Sequence, residues 1–87
     1  MSAQIAIEEW VICACQELGL AIANVDDDFF DAGATSLTIM RLIGRIEKKF
    51  GSDVLTPEEV VERSSVREIA AAIARAMEDR ALAPAED

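Results

Sequence analysis

Apolar residues recur at intervals of three and four positions through most of this chain, and this spacing limits it to a helical fold. Between residues 4 and 18 they fall on one side of a helix: Ile7, Trp10, Val11, Ala14, Cys15 and Leu18. Runs of Val, Ile, Thr and Tyr that would favour strands are missing, and Tyr is absent altogether. The chain is therefore predicted to be all-α.

The second predicted helix runs from Ser36 to Phe50. Its apolar stripe consists of Ile39, Leu42, Ile43, Ile46 and Phe50. Gly51 is predicted to end it, as Gly19 ends the first helix. Thr35 can serve as the N-cap, which leaves the hydroxyl of Ser36 free at the first helical position.

Two capping boxes open the last two helices. Thr56 with Glu59, and Pro57 at the first helical position, predict a short third helix. Ser65 with Glu68 opens the fourth, whose predicted buried stripe is Val66, Ile69, Ile73, Ala76 and Met77. The expected fold is a four-helix bundle with a short third helix and a long loop between helices one and two.

That loop, residues 20–34, is long for a compact domain, in which such loops are usually functional or disordered. Its apolar residues predict that it is ordered: Leu20, Ile22, Val25, Phe29 and Phe30. Phe30 is predicted to be the buried anchor, ahead of Phe29.

The length of 87 residues suits a single domain over 1–87, with a core at about 4–78 and a frayed tail at 79–87. The net charge of −9 disfavours binding to nucleic acid and would attract a basic partner, although acidity that only maintains solubility is the simpler interpretation. The start of the chain, MSAQIAIEEW, predicts neither a signal peptide nor a membrane span. Met1 and the short tails favour a free-standing protein, although a domain excised from a longer chain would have the same features.

Cys13 and Cys15 are two positions apart, so on a helix they point to nearly opposite sides and should not form a disulfide. Their spacing is not that of a metal or redox pair. Cys15 lies on the apolar face and is predicted to be buried. Two free thiols indicate a reducing, cytoplasmic setting.

Neither a catalytic residue nor a metal site is predicted. A serine nucleophile needs an adjacent base, and the chain has no histidine. Aligning Gly33 with the invariant glycine of a calcium loop places Phe30, Ala32 and Ile39 where oxygen ligands are required. The two cysteines, on opposite sides of one helix, exclude a zinc site.

Leu37 falls almost opposite the buried stripe of the second helix, beside the free hydroxyl of Ser36. An outward apolar residue at this place indicates a surface that another protein contacts, unless the long loop folds over it. Met40 lies at the edge of the stripe and Arg41 next to it. We therefore predict partner contacts at Leu37, Met40 and Arg41.

The segment FFDAGATSLTIMRLIGRIEKKFG resembles the attachment region of the phosphopantetheine-dependent carrier proteins, the acyl and peptidyl carrier family. The shared pattern is a phenylalanine pair, an acidic residue, glycine, two residues, serine and leucine, then an amphipathic helix that ends in Phe-Gly. ELGL at the end of the first helix and SSVREIA at the start of the last extend the resemblance to nearly the whole chain.

The resemblance implies that a separate phosphopantetheinyl transferase, using coenzyme A and magnesium, attaches 4′-phosphopantetheine to Ser36. The thiol of this arm would hold an acyl or aminoacyl group as a thioester. An adenylating or other acyl-loading enzyme would supply the group, and acyl-processing or condensing enzymes would receive it. The carrier itself would be non-catalytic and monomeric, with no nucleic-acid or membrane partner. Gly33 would allow the tight turn that presents the serine.

Within this family, the second helix of fatty-acid carriers is typically acidic. Here four basic residues outweigh the single Glu47: Arg41, Arg45, Lys48 and Lys49. This favours a peptidyl carrier of nonribosomal peptide synthesis over a fatty-acid or polyketide carrier. Thr35 stands where members usually have Asp or His, and Ala34 where many have Gly. Two other hypotheses stay open: a carrier-like module that is no longer modified, and an unrelated bundle whose acidic loop docks a basic partner.

Overall fold

The computed structural model describes residues 3–52 and 54–82, which form four α-helices and no β-strand. Their bounds are α1 Ala3–Glu17, α2 Ser36–Phe50, α3 Pro57–Glu62 and α4 Val66–Leu82. The predicted all-α fold with a short third helix is confirmed. Within the described ranges, no helix is long and apolar enough to cross a membrane. Of the predicted tail, residues 79–82 continue α4, and 83–87 lie outside the described residues.

One hydrophobic core joins the helices. α1 and α2 supply the predicted stripes: Ile7, Val11, Ala14, Cys15, Ile39, Leu42, Ile43 and Ile46. Trp10 and Phe50 are half-buried, and their rings meet edge to face with centroids 5.1 Å apart, which connects the two helices. Burial raises the pKa of the Cys15 thiol to about 12, whereas Cys13 is exposed, and both cysteines are free.

The buried face of α4 ends earlier than predicted. Val66, Ile69, Ala70 and Ile73 have no exposed surface, but Ala76 is only half-buried and Met77 is 41% exposed. The prediction that Met77 is buried was therefore wrong. Its position continues the apolar stripe, but among the described residues no side chain after Ile73 is buried, so the last turns of α4 extend beyond the core.

The loop between α1 and α2 is ordered, as predicted, but its anchor is Phe29 and not Phe30. Phe29 has no exposed surface, whereas Phe30 is 41% exposed. The backbone N–H of Phe29 donates to the carbonyl of Ser64 at 2.7 Å, and that of Ala32 donates to the carbonyl of Asp28 at 3.0 Å. Residues 28–32 thus form a helix-like turn in which neighbouring side chains point about 100° apart. In this turn the Phe29 ring faces the core and the Phe30 ring lies at the surface.

Gly33 directs the chain from this turn into α2. Its φ of +104° lies in the region that L side chains rarely adopt, although a Cβ there would meet nothing within 4 Å. The N–H of Ala34 donates to the carbonyl of Phe29 at 3.0 Å and closes the turn. The glycine is required by the backbone conformation and not by lack of space.

Asp26 and Asp27 hold the first half of the loop. The Asp26 carboxylate pairs with the guanidinium of Arg67 through oxygen–nitrogen distances of 2.9 and 3.3 Å. Asp27 accepts the backbone N–H groups of Ala23 at 2.9 Å and Asn24 at 3.0 Å. The Arg67 hydrogen bond and charge lower the pKa of Asp26, and the two N–H donors lower the pKa of Asp27.

Asp28 holds the second half of the loop to the α3–α4 junction. Its carboxylate accepts the hydroxyl of Ser64 and the backbone N–H groups of Phe30 at 2.8 Å and Asp31 at 3.1 Å. The Ser64 hydroxyl, and then these N–H groups, hold the pKa of Asp28 below its ordinary value of 3.8. Three of the four aspartates in this loop therefore stabilise its conformation.

We expect Phe29→Ala to lower the free energy of unfolding by about 3–5 kcal/mol, because it removes a fully buried aromatic side chain. Phe30→Ala is the matched control: it removes the same atoms one position away, from a partly exposed site, and should cost much less. Urea denaturation followed by circular dichroism measures both. A larger loss for Phe30→Ala would reverse the assignment of the anchor.

The Asp28 carboxylate should make stability depend on pH. Because its pKa is lowered in the folded protein, its contribution is present above the ordinary value of 3.8 and is lost as the pH falls below it, where the unfolded chain takes up protons first. Asp28→Asn should reduce stability at neutral pH and flatten this acid dependence. Asp31→Asn is the control, since the Asp31 side chain makes no hydrogen bond or ion pair with the described residues. Equal acid dependence in Asp28→Asn and the parent protein would contradict the prediction.

Candidate functional site

Ser36 is the first residue of α2, and its side chain is exposed. As predicted, Thr35 is the N-cap: its hydroxyl accepts the backbone N–H of Thr38 at 3.3 Å, and its carbonyl accepts that of Ile39 at 2.9 Å. The hydroxyl of Ser36 makes no hydrogen bond within the described part of the chain. The capping role falls on one residue and leaves the next hydroxyl available.

The start of α2 is suited to an anion. The helix has 15 residues, no acidic residue in its first turn, and Lys48 and Lys49 in its last. The backbone N–H groups of Ser36 and Leu37 find no acceptor among the described residues. The partial positive charge of the helix N-terminus is therefore not neutralised, and a phosphate group bonded to the Ser36 oxygen would be stabilised there.

An apolar cavity of about 470 Å³ opens beside Ser36. The loop, α2 and α3 line it with Phe30, Ser36, Ile39, Met40, Pro57 and Val61. Three of these large side chains are mostly or substantially exposed: Phe30 at 41%, Met40 at 54% and Val61 at 60%. Exposed apolar side chains concentrated in this way mark a surface that binds another molecule.

Leu37 and Arg41 are exposed, as Met40 is, but the three predicted contact residues do not share one cavity. Leu37 is 61% exposed, which excludes the alternative in which the loop folds over it. Met40 shares the cavity of Ser36, whereas Arg41 lines a second depression farther along α2, near Gly44. The predicted surface is thus divided between two flanks of one helix.

Phe30 and Val61 were not predicted as surface residues of the site. Val61 follows the fully buried Val60 in the six-residue α3. The sequence of α3 did not indicate which valine is exposed, because neighbouring helical positions can both be buried, as Leu42 and Ile43 are in α2.

The acidic side of the loop forms a separate open depression of about 320 Å³, lined in part by Asp26, Asp27, Asp28 and Asp31. Among the described residues, no group of His, Cys, Asp and Glu side chains is arranged to hold a metal ion. Three of these carboxylates already bind groups of this chain. Internal hydrogen bonding thus accounts for three of the four carboxylates in this depression.

Comparison with known proteins agrees with this geometry. A family model described as "Phosphopantetheine attachment site" matches residues 11–73, from the middle of α1 to the middle of α4, with Ser36 inside the match. A search of curated proteins found no match. The match covers well over half of the chain and excludes the hypothesis of a bundle unrelated to carriers. The chain belongs to the phosphopantetheine attachment-site family of carrier proteins, which bear 4′-phosphopantetheine covalently on a serine.

Proposed function

We propose that this protein is a peptidyl carrier of nonribosomal peptide synthesis, with 4′-phosphopantetheine attached to Ser36. One observation supports this attachment site: the Ser36 hydroxyl is exposed, makes no hydrogen bond with the described residues and lies at the N-terminus of a long helix. When bound, the arm supplies a terminal thiol that holds aminoacyl or peptidyl groups as thioesters. The alternative is an acyl carrier of a fatty-acid or polyketide pathway.

The other serines within the matched residues are less suitable. Ser52 follows Gly51, at the C-terminal end of α2, where the helix dipole disfavours an anion. The Ser64 hydroxyl donates to Asp28, and the Ser65 hydroxyl exchanges hydrogen bonds with Glu68. Ser36 alone combines a free hydroxyl with a helix N-terminus among the described serines.

The residues around Ser36 have distinct tasks in this proposal. Thr35 satisfies the first turn of α2, so that the Ser36 hydroxyl remains accessible to a phosphopantetheinyl transferase. The N–H groups of Ser36 and Leu37 and the helix dipole stabilise the phosphodiester. Phe29 and Gly33 fix the loop that leads into the helix. No residue of this chain performs the acyl chemistry, which partner enzymes supply.

The charge of α2 supports the peptidyl assignment. Four basic residues and one acidic residue lie on this helix, in a chain whose net charge is −9. Partners that bind an acidic second helix would be repelled here, so we propose an adenylating enzyme as the loading partner and a condensing enzyme as the recipient. We also propose that the protein is a monomer and acts in the cytoplasm. The exposed free thiol of Cys13 is consistent with that reducing compartment.

Incubation with coenzyme A, magnesium and a promiscuous phosphopantetheinyl transferase should add one arm, and Ser36→Ala should abolish the addition completely. Intact-mass spectrometry measures both. Ser52→Ala is the matched control and should be modified like the parent protein. Modification of Ser36→Ala at another serine would refute the assignment of the site.

The same mass measurement on protein purified from its native host separates the alternatives. An aminoacyl or peptidyl increment on the arm supports the proposal. A simple fatty-acyl or polyketide increment supports the acyl-carrier alternative, and an unmodified protein supports a module that acts only by interaction.

Leu37→Ala and Met40→Ala should each impair aminoacyl loading more than Arg41→Ala does. The first two remove exposed apolar contacts beside the arm, and loss of a central apolar contact can remove about 2 kcal/mol of binding energy, whereas charges at the rim contribute less. Loading rates are compared with each variant already carrying its arm, and circular dichroism confirms the fold. If Arg41→Ala were the slowest to load, recognition would be mainly electrostatic.

A further inference from the structure

Gly44 lies in the middle of α2, where nothing in the fold requires a glycine. It is exposed, its backbone is helical, and a Cβ built there would meet nothing within 4 Å. Glycine is the poorest helix former after proline, so any common helical residue would make α2 more stable. The reason for this glycine must therefore lie outside the packed interior of the chain.

An open depression of about 630 Å³ surrounds this position. Its lining consists of Leu18, Arg41, Gly44, Arg45, Glu47 and Lys48. Arg45 is paired with Glu17, whereas Arg41 and Lys48 have no ion-pair partner in the described ranges. The depression thus places two unpaired cations on either side of an exposed stretch of helix backbone, and with the single carboxylate of Glu47 its unpaired charges remain net positive.

These residues also form a straight row that begins beside the attachment site. Leu37, Arg41, Gly44 and Lys48 are separated by four, three and four positions and therefore share the outermost face of α2. Arg41 and Lys48 are seven residues, or about 10 Å, apart along the helix axis. A second helix lying alongside would present its own side chains at the same repeat.

We infer that this face binds a helix of a partner enzyme that carries a row of carboxylates, and that Gly44 is the point at which the two backbones approach closely. The partner's carboxylates pair with Arg41 and Lys48, two turns apart. The missing side chain at Gly44 permits a shorter interaxial distance than larger residues allow. This inference rests on the proposed carrier function and adds the chemistry of the partner surface.

The positive charge of α2 is the main argument that the partner helix is acidic. Half of the chain's eight basic residues lie on α2, although the protein as a whole is strongly acidic. An acidic helix would be repelled by most of the molecular surface and attracted to this face, which fixes its orientation relative to Ser36. A basic partner would be repelled from this face and attracted to the acidic surface elsewhere on the molecule.

The first test is stability. Because the fold leaves Gly44 open, Gly44→Ala should raise the folding equilibrium constant about fivefold in urea denaturation. A decrease would show that the fold needs the glycine and would overturn the inference.

The second test is binding, with the ¹⁵N-labelled protein carrying its arm. The probes are two alanine-rich helical peptides, one with glutamate and one with lysine at every second turn. The glutamate peptide should shift the amide resonances of Arg41, Gly44 and Lys48 in a saturable, salt-sensitive manner, and the lysine peptide should not. Gly44→Gln, which fills the depression while keeping a good helix former, should abolish saturation, whereas Ala6→Gln on α1 should not.

Lys48→Glu and Lys49→Glu form a charge-matched pair, since both lie in the last turn of α2 but only Lys48 lines the depression. Of the two variants, only Lys48→Glu should abolish binding of the glutamate peptide. Equal losses of affinity in both variants would mean that the peptide responds only to the net charge of the protein, and would overturn the inference. Concentration-dependent shifts without peptide would assign the face to a second copy of the chain and also overturn it. Intact mass reports Ser36 modification independently, so a modified protein that binds neither peptide refutes only this inference.

Discussion

The hydrogen bond between the backbone N–H of Phe29 and the carbonyl of Ser64 positions most of what surrounds Ser36. It joins the long loop between α1 and α2 to the short connection between α3 and α4, and the adjacent Asp28–Ser64 contact reinforces it. With the loop fixed there, the Phe29 ring fills the core and Gly33 turns the chain into the cap of α2. The Asp26–Arg67 pair holds only the first half of the loop, so without this junction the second half, which leads into the helix that presents the serine, would lose its hydrogen bonds to the rest of the fold.

The helices could be predicted from the sequence because their signals are local. Thr35, Thr56 and Pro57 act within one turn of the chain. In the structure the two threonines are the predicted N-caps, and Pro57 is the first residue of α3. The anchor of the loop could not be predicted in this way. The choice between Phe29 and Phe30 depends on Asp28 and Ser64, which are 36 positions apart, and periodicity contains no information about such a contact.

The candidate site was predictable to the same extent. A free hydroxyl at Ser36 followed from the assignment of the cap to Thr35, and the outward direction of Leu37 followed from the helical repeat. The cavity beside Ser36 did not, because it requires α3 to lie against the start of α2, which brings Val61 next to Met40. Tertiary packing decides which exposed apolar residues form one surface.

The isolation of the Ser36 side chain from the rest of the fold has a consequence for how a carrier is recognised. Because no described residue binds this hydroxyl, a group placed on it replaces no internal interaction and need not change the helices beneath. Under the proposed function, the scaffold then has nearly the same shape whether the arm is empty, loaded or discharged. Enzymes that act in sequence on such a protein would have to distinguish these states by contacts to the arm and its cargo, since the surface of the protein would be the same in every state.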